Sequence, residues 1–540
     1  MPRARVTTAT RATAQWLSEL VPRYQRRSAR VDEAILGVYL SGTNSRQIKG
    51  ALAPLRSVAA VILAVAVTAP SAPALARFFE ATSPDERASK PALTEIAASW
   101  KDGYAAMVID MARQMRPARG PREANDEPAL APDDERTATA PGRPSADLTQ
   151  APERGSPIRQ RLIGFLEKQT KRSFGDDLNR WREWMWALPY DPHPDYATFK
   201  GMVYGQIDPR MQAFFPPNVR ALIRLDEIDW GGVIVNGIPP LRDPRAIPAA
   251  AANYLRDSNV VFGLVVNGEA RAYPKRILAW HEMAIDRVGG VDLTIVYCTL
   301  CGTVIPFESQ ASGRRLHFGT SGLLYRSNKL MFDEETKSLW STFEGVPVVG
   351  SLVGSGVTLA SRPVVTTTWK EWRTEHPDTT VLSLETGYQR DYSEGAAYRG
   401  YFSTDRLMFQ VSRTDARLRN KDEVLVMRAE DSRKPGQQVP VAISAQHLRR
   451  HPVFSFTAAD QRFVVVTTPQ GANRVFLSPV EFPEQRAGST INDVEGRAWR
   501  VSEAALVLDG SPSRDAARVS AQRAFWFGWY AQFPDTILIK

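Results

Sequence analysis

The chain has 540 residues, of which 43% are hydrophobic and 24% charged, and its formal net charge is +9. Such a length accommodates two or three domains, and this apolar content is ordinary for a protein with buried cores. Residues 1–60 hold 10 Lys and Arg against 3 Asp and Glu, or +7, which leaves +2 for the other 480 residues. The main body is therefore close to neutral. The net positive charge of the whole chain is no evidence that this body binds nucleic acid.

The chain starts with a basic segment. Residues 11–55 contain YQRR and VDEAILGVYLSGTNSRQI, and this pattern resembles the amino-terminal region of Mutator-type insertion-sequence transposases. Transposition needs metal-binding carboxylates on a nuclease-like fold, and no such domain is visible downstream. We interpret residues 1–55 as a transposase-like fragment, either the scar of an insertion or the product of a misplaced start codon, and at most a non-functional DNA-binding remnant.

Residues 56–76 follow the pattern of a secretory signal. Arg56 precedes the apolar run Val58–Val67, and Ala74-Leu75-Ala76 has the A-x-A form of a signal-peptidase site. The apolar run is too short to cross a bilayer core of ~30 Å. The pattern predicts a periplasmic or secreted protein. The alternatives are a buried helix and a cytoplasmic location, if the long form is translated and not exported.

The next part of the chain contains two segments with helical spacing of apolar residues and a polar linker between them. Residues 77–115 carry apolar side chains three and four positions apart, which predicts an amphipathic helical segment. Residues 116–157 have almost no large apolar residue and are predicted to be a disordered linker. Residues 158–220 are predicted to form a small helical module, in which Trp181 and Met185 share one face.

Residues 221–540 are predicted to form a β-rich mixed body, so that the fold class is α+β. Asn267-Gly268 between two apolar runs indicates a hairpin with a type I′ turn. Further strands are predicted at VDLTIVY, TVIPFE, VPVVGSLV, VTLASRPVV and RFVVVTT. RILAWHEMAID predicts a short helix that ends near Gly289-Gly290.

Two segments of this body resemble each other, which predicts two related lobes. RAYPKRILAWHEM (271–283) aligns with VAISAQHLRRHPV (441–453), pairing His281 with His451. IVYCTLCGTVIPF (295–307) aligns with VVVTTPQGANRVF (464–476), which puts Thr467 and Gln470 in the places of the two cysteines.

The chemically distinctive feature is a histidine followed by a CxxC pair: His281, Cys298 and Cys301. A strand, a tight turn and a strand direct both thiolates to one side, and two thiolates with an imidazole favour copper or zinc. Met283 and Met331 are candidate additional ligands.

The same cysteines have two other readings. A CxxC pair also cycles between dithiol and disulfide, although the extended run after Gly302 argues against thioredoxin-like geometry, in which the second cysteine is helical. The third reading is a small structural disulfide.

A glycine-rich stretch supplies a further candidate. Gly319, Ser321 and Gly322 with Arg326 are predicted to form an anion-binding backbone loop. The stretch lacks the Walker ending that a nucleotide site would need.

Several long motifs lie between residue 160 and the end: ARAYPKRILAWHE, VYCTLCGTVI, FGTSGLLYRSNKLMFDEETKSLW, TTWKEWRTEHPDTTVLS and FWFGWYAQFPDT. With them the chain resembles the bacterial family known as domain of unknown function 3179. The resemblance implies an exported or membrane-attached setting and brings no reaction. The leading hypothesis is an exported metal-binding protein; the alternatives are a thiol–disulfide enzyme and a non-catalytic binding or scaffold protein.

Overall fold

The computed structural model describes residues 73–114, 156–508 without Ser432 and Pro435, and 515–540. The transposase-like fragment lies outside these residues, as do most of the predicted signal segment and of the predicted linker. The described chain belongs to two compact units, divided between Phe199 and Lys200. Among the described residues, no helix combines the length and the apolar character that a membrane crossing requires.

The first unit is helical, as predicted. Its helices are α1 Pro73–Glu80, α2 Glu86–Ala98, α3 Ala105–Gln114, α4 Pro157–Thr170 and α5 Leu178–Ala187. Their buried faces include Met107, Leu166 and Trp181. The predicted cleavage site after Ala76 falls inside α1, next to the buried side chain of Leu75.

The second unit is mainly β. Helix α6, Tyr196–Gly205, crosses the division, and the later helices are α7 Lys275–His281, α8 Trp369–Glu375, α9 Arg399–Phe402, α10 Ala445–Arg450 and α11 Trp526–Gln532. The first eight strands are β1 Ile228–Trp230, β2 Leu241–Arg242, β3 Ala246–Pro248, β4 Val260–Val266, β5 Glu269–Pro274, β6 Met283–Val288, β7 Val291–Cys298 and β8 Thr303–Glu308. The next eight are β9 Gln310–Ala311, β10 Arg314–Arg315, β11 Phe318–Tyr325, β12 Asn328–Asp333, β13 Leu339–Ser341, β14 Val346–Val349, β15 Val365–Thr368 and β16 Thr380–Leu382.

The remaining strands are β17 Glu423–Glu430, β18 Gln438–Ser444, β19 Val453–Ala458, β20 Gln461–Thr467, β21 Asn473–Leu477, β22 Thr490–Asn492, β23 Ala498–Val501, β24 Ala505–Leu508, β25 Ala516–Val519, β26 Gln522–Phe525 and β27 Ile537–Ile539. The main sheets have the strand orders β15-β4-β5-β16-β3, β2-β6-β7-β8, β1-β11-β12-β13-β14, β26-β17-β18-β27 and β19-β20-β21-β25-β24-β23-β22.

The sheet orders contain the predicted repeat. In the first lobe (residues 246–382), β15 pairs with β4, β4 with β5, and β5 runs parallel to β16. In the second lobe (residues 423–539), β26, β17, β18 and β27 pair in the same order and directions. Both lobes continue with a short helix and a three-stranded meander, β6–β8 in one and β19–β21 in the other.

The strand pairing corrects the predicted alignment by one residue. Val296 lies opposite Met283, and Val466 lies opposite Val453 in the other lobe. Thr467 therefore corresponds to Tyr297, the residue before Cys298. The predicted alignment implies that the second lobe lacks one residue ahead of this strand, whereas the strand pairing places the missing residue in the turn that follows it.

Each lobe inserts this turn into the core of the other. Cys301, in the turn of the first lobe, packs in one apolar cluster with Trp526 and Trp529 of α11. Ala472, in the turn of the second lobe, packs with Trp369 and Trp372 of α8. The backbone N–H of Phe525 also donates to the carbonyl of Cys301 at 2.7 Å.

Three element predictions are wrong in extent. The strand predicted at VPVVGSLV ends at Val349, before Gly350, whose φ is +122°. The helix ends at His281, because Glu282 adopts a left-handed conformation with φ 55° and the following residues form β6. The strand predicted at VTLASRPVV begins only at Val365, since Pro363 within that run has no N–H to donate to a neighbouring strand.

Candidate functional site

The two cysteines flank the turn between β7 and β8. Cys298 is the last residue of β7 and pairs with Thr303, and Cys301 precedes Gly302, whose φ of +64° suits glycine. Both cysteines are free thiols, with exposures of 3% for Cys298 and 0% for Cys301. The strand, tight turn and strand predicted from the sequence are therefore present.

Three consecutive residues, Ser327–Lys329, form a sulfur cradle around the pair. The Cys301 thiol donates to the carbonyl of Ser327, and the Asn328 amide donates to Cys301 Sγ, each at 3.5 Å. The backbone N–H of Lys329 donates to the sulfur of Cys298. The Asn328 side chain is held in turn by the Thr342 hydroxyl, which donates to its Oδ1 at 2.8 Å.

The two thiols differ sharply in acidity. Burial opposes ionisation of Cys298, but the neighbouring Cys301 side chain and hydrogen bonds from the backbone N–H groups of Lys329 and Cys301 lower its pKa below the ordinary value. Burial and the neighbouring Cys298 sulfur raise the pKa of Cys301 well above it. Of the two thiols, Cys298 is therefore the one that ionises first.

A buried ion pair lies beside the thiols. Lys329 Nζ is 3.0 Å from Glu282 Oε2, and the two residues are 5% and 8% exposed. The Tyr398 hydroxyl donates to the other oxygen of Glu282 at 3.0 Å. The backbone N–H of Tyr297 donates to the carbonyl of Glu282, which places Glu282 across from the end of β7.

The turn that carries the sulfur cradle is strained. Arg326 and Ser327 have φ values of +47° and +64°, a conformation that non-glycine residues rarely adopt. The Arg326 guanidinium is anchored by an ion pair with the buried Glu227 and by a hydrogen bond to the carbonyl of Ala531. The hydroxyls of Tyr297, Thr299 and Ser327, all buried near the thiols, have no hydrogen-bond partner among the described residues.

His281 has partners of its own. Its Nδ1 lies 2.9 Å from the carbonyl of Pro239 and its Nε2 lies 2.5 Å from the Tyr392 hydroxyl. Burial lowers the pKa of His281 to about 4, so that the imidazole is neutral. Since Nδ1 must donate to the carbonyl, Nε2 accepts from Tyr392. The structure therefore brings the two cysteines together and engages both ring nitrogens of His281 with oxygen atoms.

The candidate thioether ligands pack in the same cluster as the thiols. Met283 and Met331 are fully buried in the same apolar cluster as Cys298 and Cys301.

Within the described ranges, a different trio brings three ligand-type atoms within 4.8 Å of one another: Glu375, His376 and Glu503. Arg474 lies 2.5 Å from both of these carboxylates, and Arg518 lies 3.0 Å from Glu503. Arginine charges thus already neutralise the carboxylates of that trio.

The predicted anion-binding loop has a different structure. Gly319, Ser321 and Gly322 belong to strand β11. The Ser321 hydroxyl donates to the carbonyl of Leu330 and accepts from the N–H of Leu323. The Arg326 guanidinium pairs with Glu227. These residues therefore stabilise the strand and its turn and do not form the predicted anion-binding loop.

The sequence carries no local signal for the sulfur cradle. The motif YRSNKLMF lies in the same long stretch as the glycines and holds no residue that identifies it as a thiol partner. Glu282 follows the singled-out histidine directly, but its partnership with Lys329 joins residues far apart in sequence. Such pairs follow from the fold rather than from spacing.

One family model matches the chain, over residues 235–536, and its description is "Protein of unknown function (DUF3179)". The matched range contains the cysteines, Glu282 and the sulfur cradle. No curated protein and no solved structure matches the chain.

Proposed function

The chain belongs to this family of proteins of unknown function, and from the geometry of its cysteine turn we propose that it is a thiol–disulfide oxidoreductase. Cys298 is the attacking thiol and Cys301 the resolving thiol. The observation that carries the proposal is the geometry: two free thiols flank one tight turn, and polar groups of Ser327 and Asn328 bond the sulfur of Cys301. The opposite directions of the two pKa shifts agree with this arrangement. A thiolate is the nucleophile in disulfide exchange, and a pair in which one sulfur is ionised and the other protonated is prepared for it.

The reaction proceeds in two exchanges. The Cys298 thiolate attacks a substrate disulfide, forms a mixed disulfide and releases one substrate sulfur as a thiolate. Cys301 then loses its proton and attacks Cys298 Sγ, which forms the Cys298–Cys301 disulfide and releases the second substrate sulfur. Two electrons pass from the pair to the substrate, and the reverse sequence oxidises a substrate dithiol.

A purely structural pair does not account for the surroundings. Buried cysteines that serve only packing behave as small apolar groups. Here an ion pair, a strained turn and unpartnered hydroxyls surround the sulfurs, and each is costly in a core. Destabilising features of this kind are concentrated at functional sites.

A second candidate function is the binding of a soft metal ion such as copper. Its support is that Met283 and Met331 share the apolar cluster of the two cysteines. Thiolates and thioethers select Cu(I). This function would use the sulfur atoms without His281.

Single-cysteine variants test the redox proposal. Reduced protein is incubated with glutathione and glutathione disulfide at fixed ratios, remaining thiols are alkylated, and the products are identified by mass spectrometry. The unmodified chain should form the internal disulfide. Cys301→Ser should accumulate a mixed disulfide between Cys298 and glutathione, whereas Cys298→Ser should react far more slowly, because the remaining thiol is protonated.

Three results would overturn the proposal. They are equal reactivity of the two variants, failure of the unmodified chain to form the internal disulfide at any ratio, and stoichiometric copper or zinc that protects both thiols in the purified protein. The last result, if lost in both variants and retained in a Ser327→Ala control, would favour the metal function.

A further inference from the structure

The two thiols are nearly closed off from solvent. Cys298 is 3% exposed and Cys301 is fully buried. A disulfide substrate must nevertheless reach Cys298, because exchange proceeds by direct attack of one sulfur on another. One wall of the site therefore has to move, and the walls differ in how firmly the fold holds them.

Two of the walls are fixed by regular structure. The sulfur cradle joins β11 to β12 within a five-stranded sheet. Helix α11 places Trp526 and Trp529, at 0% and 1% exposure, in the apolar cluster of the thiols. A Cβ on Gly528 of this helix would lie 3.0 Å from Cys301 Sγ, so the helix packs directly on the sulfur. Movement of either wall would disrupt the core.

The third wall belongs to the long connection between the two lobes. Residues 383–422, between β16 and β17, contain one helical turn, α9, and none of the described strands. Connections of this length without a strand are uncommon in a compact unit, and many of them act as lids over functional sites. We call residues 388–405 of this connection the lid segment. Gly387, with φ +83°, directly precedes it and provides a point of bending.

Tyrosine hydroxyls attach the lid segment to the site. The Tyr401 hydroxyl donates to the carbonyl of Leu300 at 2.9 Å, and Leu300 lies between the two cysteines. The Tyr401 side chain also belongs to the apolar cluster of the thiols. The hydroxyls of Tyr392 and Tyr398 contact the last residue of α7 and the residue after it. The lid segment therefore covers the cysteine turn through side-chain contacts and not through strand pairing.

The end of the same connection holds the lid segment from outside. The Lys421 ammonium donates to the carbonyls of Tyr401 and Thr404 and lies 3.4 Å from the centre of the Tyr401 ring. The Asp405 carboxylate accepts from the backbone N–H groups of Asn420 and Lys421 at 3.2 and 2.9 Å. The bonds to Thr404 and Asp405 are exposed to solvent. The lid segment can therefore be released without the separation of any strands.

Resting on the proposed function, we propose that the lid segment opens as a unit to expose Cys298 to its disulfide substrate, and that the hydrogen bond from Tyr401 to Leu300 is the latch that holds it closed. The latch is made to the backbone between the two cysteines, so its release also frees the turn that carries them. Folded proteins open such segments at a lower free energy than global unfolding requires.

Alkylation of Cys298 measures the opening, because a shielded thiol reacts only from the open state. The reduced full chain with Cys301→Ser is incubated with N-ethylmaleimide at rising urea concentrations below the unfolding transition, and labelling is followed by mass spectrometry. When reclosing is fast, the labelling rate is the open fraction multiplied by the rate of the exposed thiol. We expect a measurable rate without urea that changes little as urea is added, since opening the lid segment exposes little surface.

Variants in this background test the latch. Tyr401→Phe should raise the labelling rate about fivefold, because one hydrogen bond that favours the closed state is lost. Tyr204→Phe is the matched control, since the Tyr204 hydroxyl also donates to a backbone carbonyl, that of Ile228, at 2.8 Å. This control should leave the rate unchanged. Lys421→Met releases the outer side of the lid segment and should also raise the rate. All variants should label equally fast when unfolded in urea.

Two results would overturn the lid. They are a labelling rate that rises with urea as steeply as global unfolding does, and equal acceleration by Tyr401→Phe and Tyr204→Phe. Formation of the internal disulfide in glutathione buffer is measured separately on the unmodified chain, so the oxidoreductase proposal can stand when the lid falls. A chain that labels as expected and forms no internal disulfide would overturn the disulfide substrate and support the lid segment as the route to Cys298.

Discussion

The buried neutral histidine makes the stability of the second unit depend on pH. His281 is fully buried, and its pKa in the folded protein is about 4 because burial disfavours the imidazolium. An exposed histidine in the unfolded chain titrates near pH ~6.5. As the pH falls below the unfolded value, the unfolded chain takes up a proton that the folded chain does not, and the folded state loses stability until the pH reaches about 4.

The size of the loss follows from the gap between the two pKa values. A gap of about 2.5 units corresponds to about 3 kcal/mol when fully developed, at about 1.4 kcal/mol per unit. Between pH 7 and pH 5 the expected loss from His281 alone is about 2 kcal/mol. The contribution is fully present above the unfolded pKa and absent below the folded one.

Urea unfolding of the chain and of His281→Gln at a series of pH values measures this effect. Near-ultraviolet circular dichroism reports on the aromatic core, and the transition of the second unit is the one that the substitution shifts. The variant is expected to be less stable at pH 7, since the carbonyl of Pro239 loses its imidazole donor and Tyr392 loses one of its two partners. Its stability should then fall by about 2 kcal/mol less than that of the unmodified chain on going to pH 5. Parallel pH profiles for the two proteins would refute the reasoning.

Three other outcomes are expected. Gly528→Ala should destabilise the protein by about 1 kcal/mol in urea unfolding, because the new Cβ would lie 3.0 Å from a sulfur atom, whereas Gly164→Ala, in a helix with nothing within 4 Å, should stabilise it by about the same amount. Thr379→Val and Thr536→Val should each cost about 1–2 kcal/mol, since the two threonines accept equivalent hydrogen bonds from a tryptophan in each lobe; a cost confined to one of them would count against equivalence. Expression in a bacterium with a periplasm, followed by amino-terminal sequencing, should give a mature chain that starts after Ala76, and a cytoplasmic uncleaved product would contradict export.

The predictions that succeeded rest on short-range patterns. The type I′ hairpin at Asn267-Gly268 follows from the residues of its turn. Strands β7, β8 and β20 follow from their apolar sequence patterns, and tertiary packing agrees with these local preferences. The helix at residues 275–281 was extended too far, because the left-handed residue that ends it is Glu282 and not a glycine.

A pair of tryptophan motifs indicates the repeat of the two lobes more clearly than the segments 271–307 and 441–476 do. TWKEWRTEHPDT and FWFGWYAQFPDT share two tryptophans three residues apart and a following PDT, and in both lobes the second tryptophan donates to the threonine. Aligned with each other, these motifs place Glu371 opposite Gly528. The lobe whose helix carries the glycine is the one that accommodates a sulfur atom.

Only part of the candidate site can be predicted from the sequence. The CxxC pair is recognisable from spacing, and so is its turn. The sulfur cradle and the Glu282–Lys329 ion pair are contacts between residues at or next to the ends of strands β6, β7 and β12. No local pattern specifies which strand ends become neighbours. His281 lies near the CxxC pair in sequence, but each of its ring nitrogens contacts an oxygen atom instead of a sulfur. Proximity in sequence therefore does not identify the partners of a side chain.

The exchange of turns between lobes has a consequence during protein synthesis. The helix that covers Cys301 is made long after the cysteines themselves, once nearly the whole second lobe has been translated. Until then the thiols face whatever oxidants and disulfides surround the nascent chain. Their redox state can thus be set before they are enclosed, and a chain truncated ahead of Trp526 would keep them open to reagents.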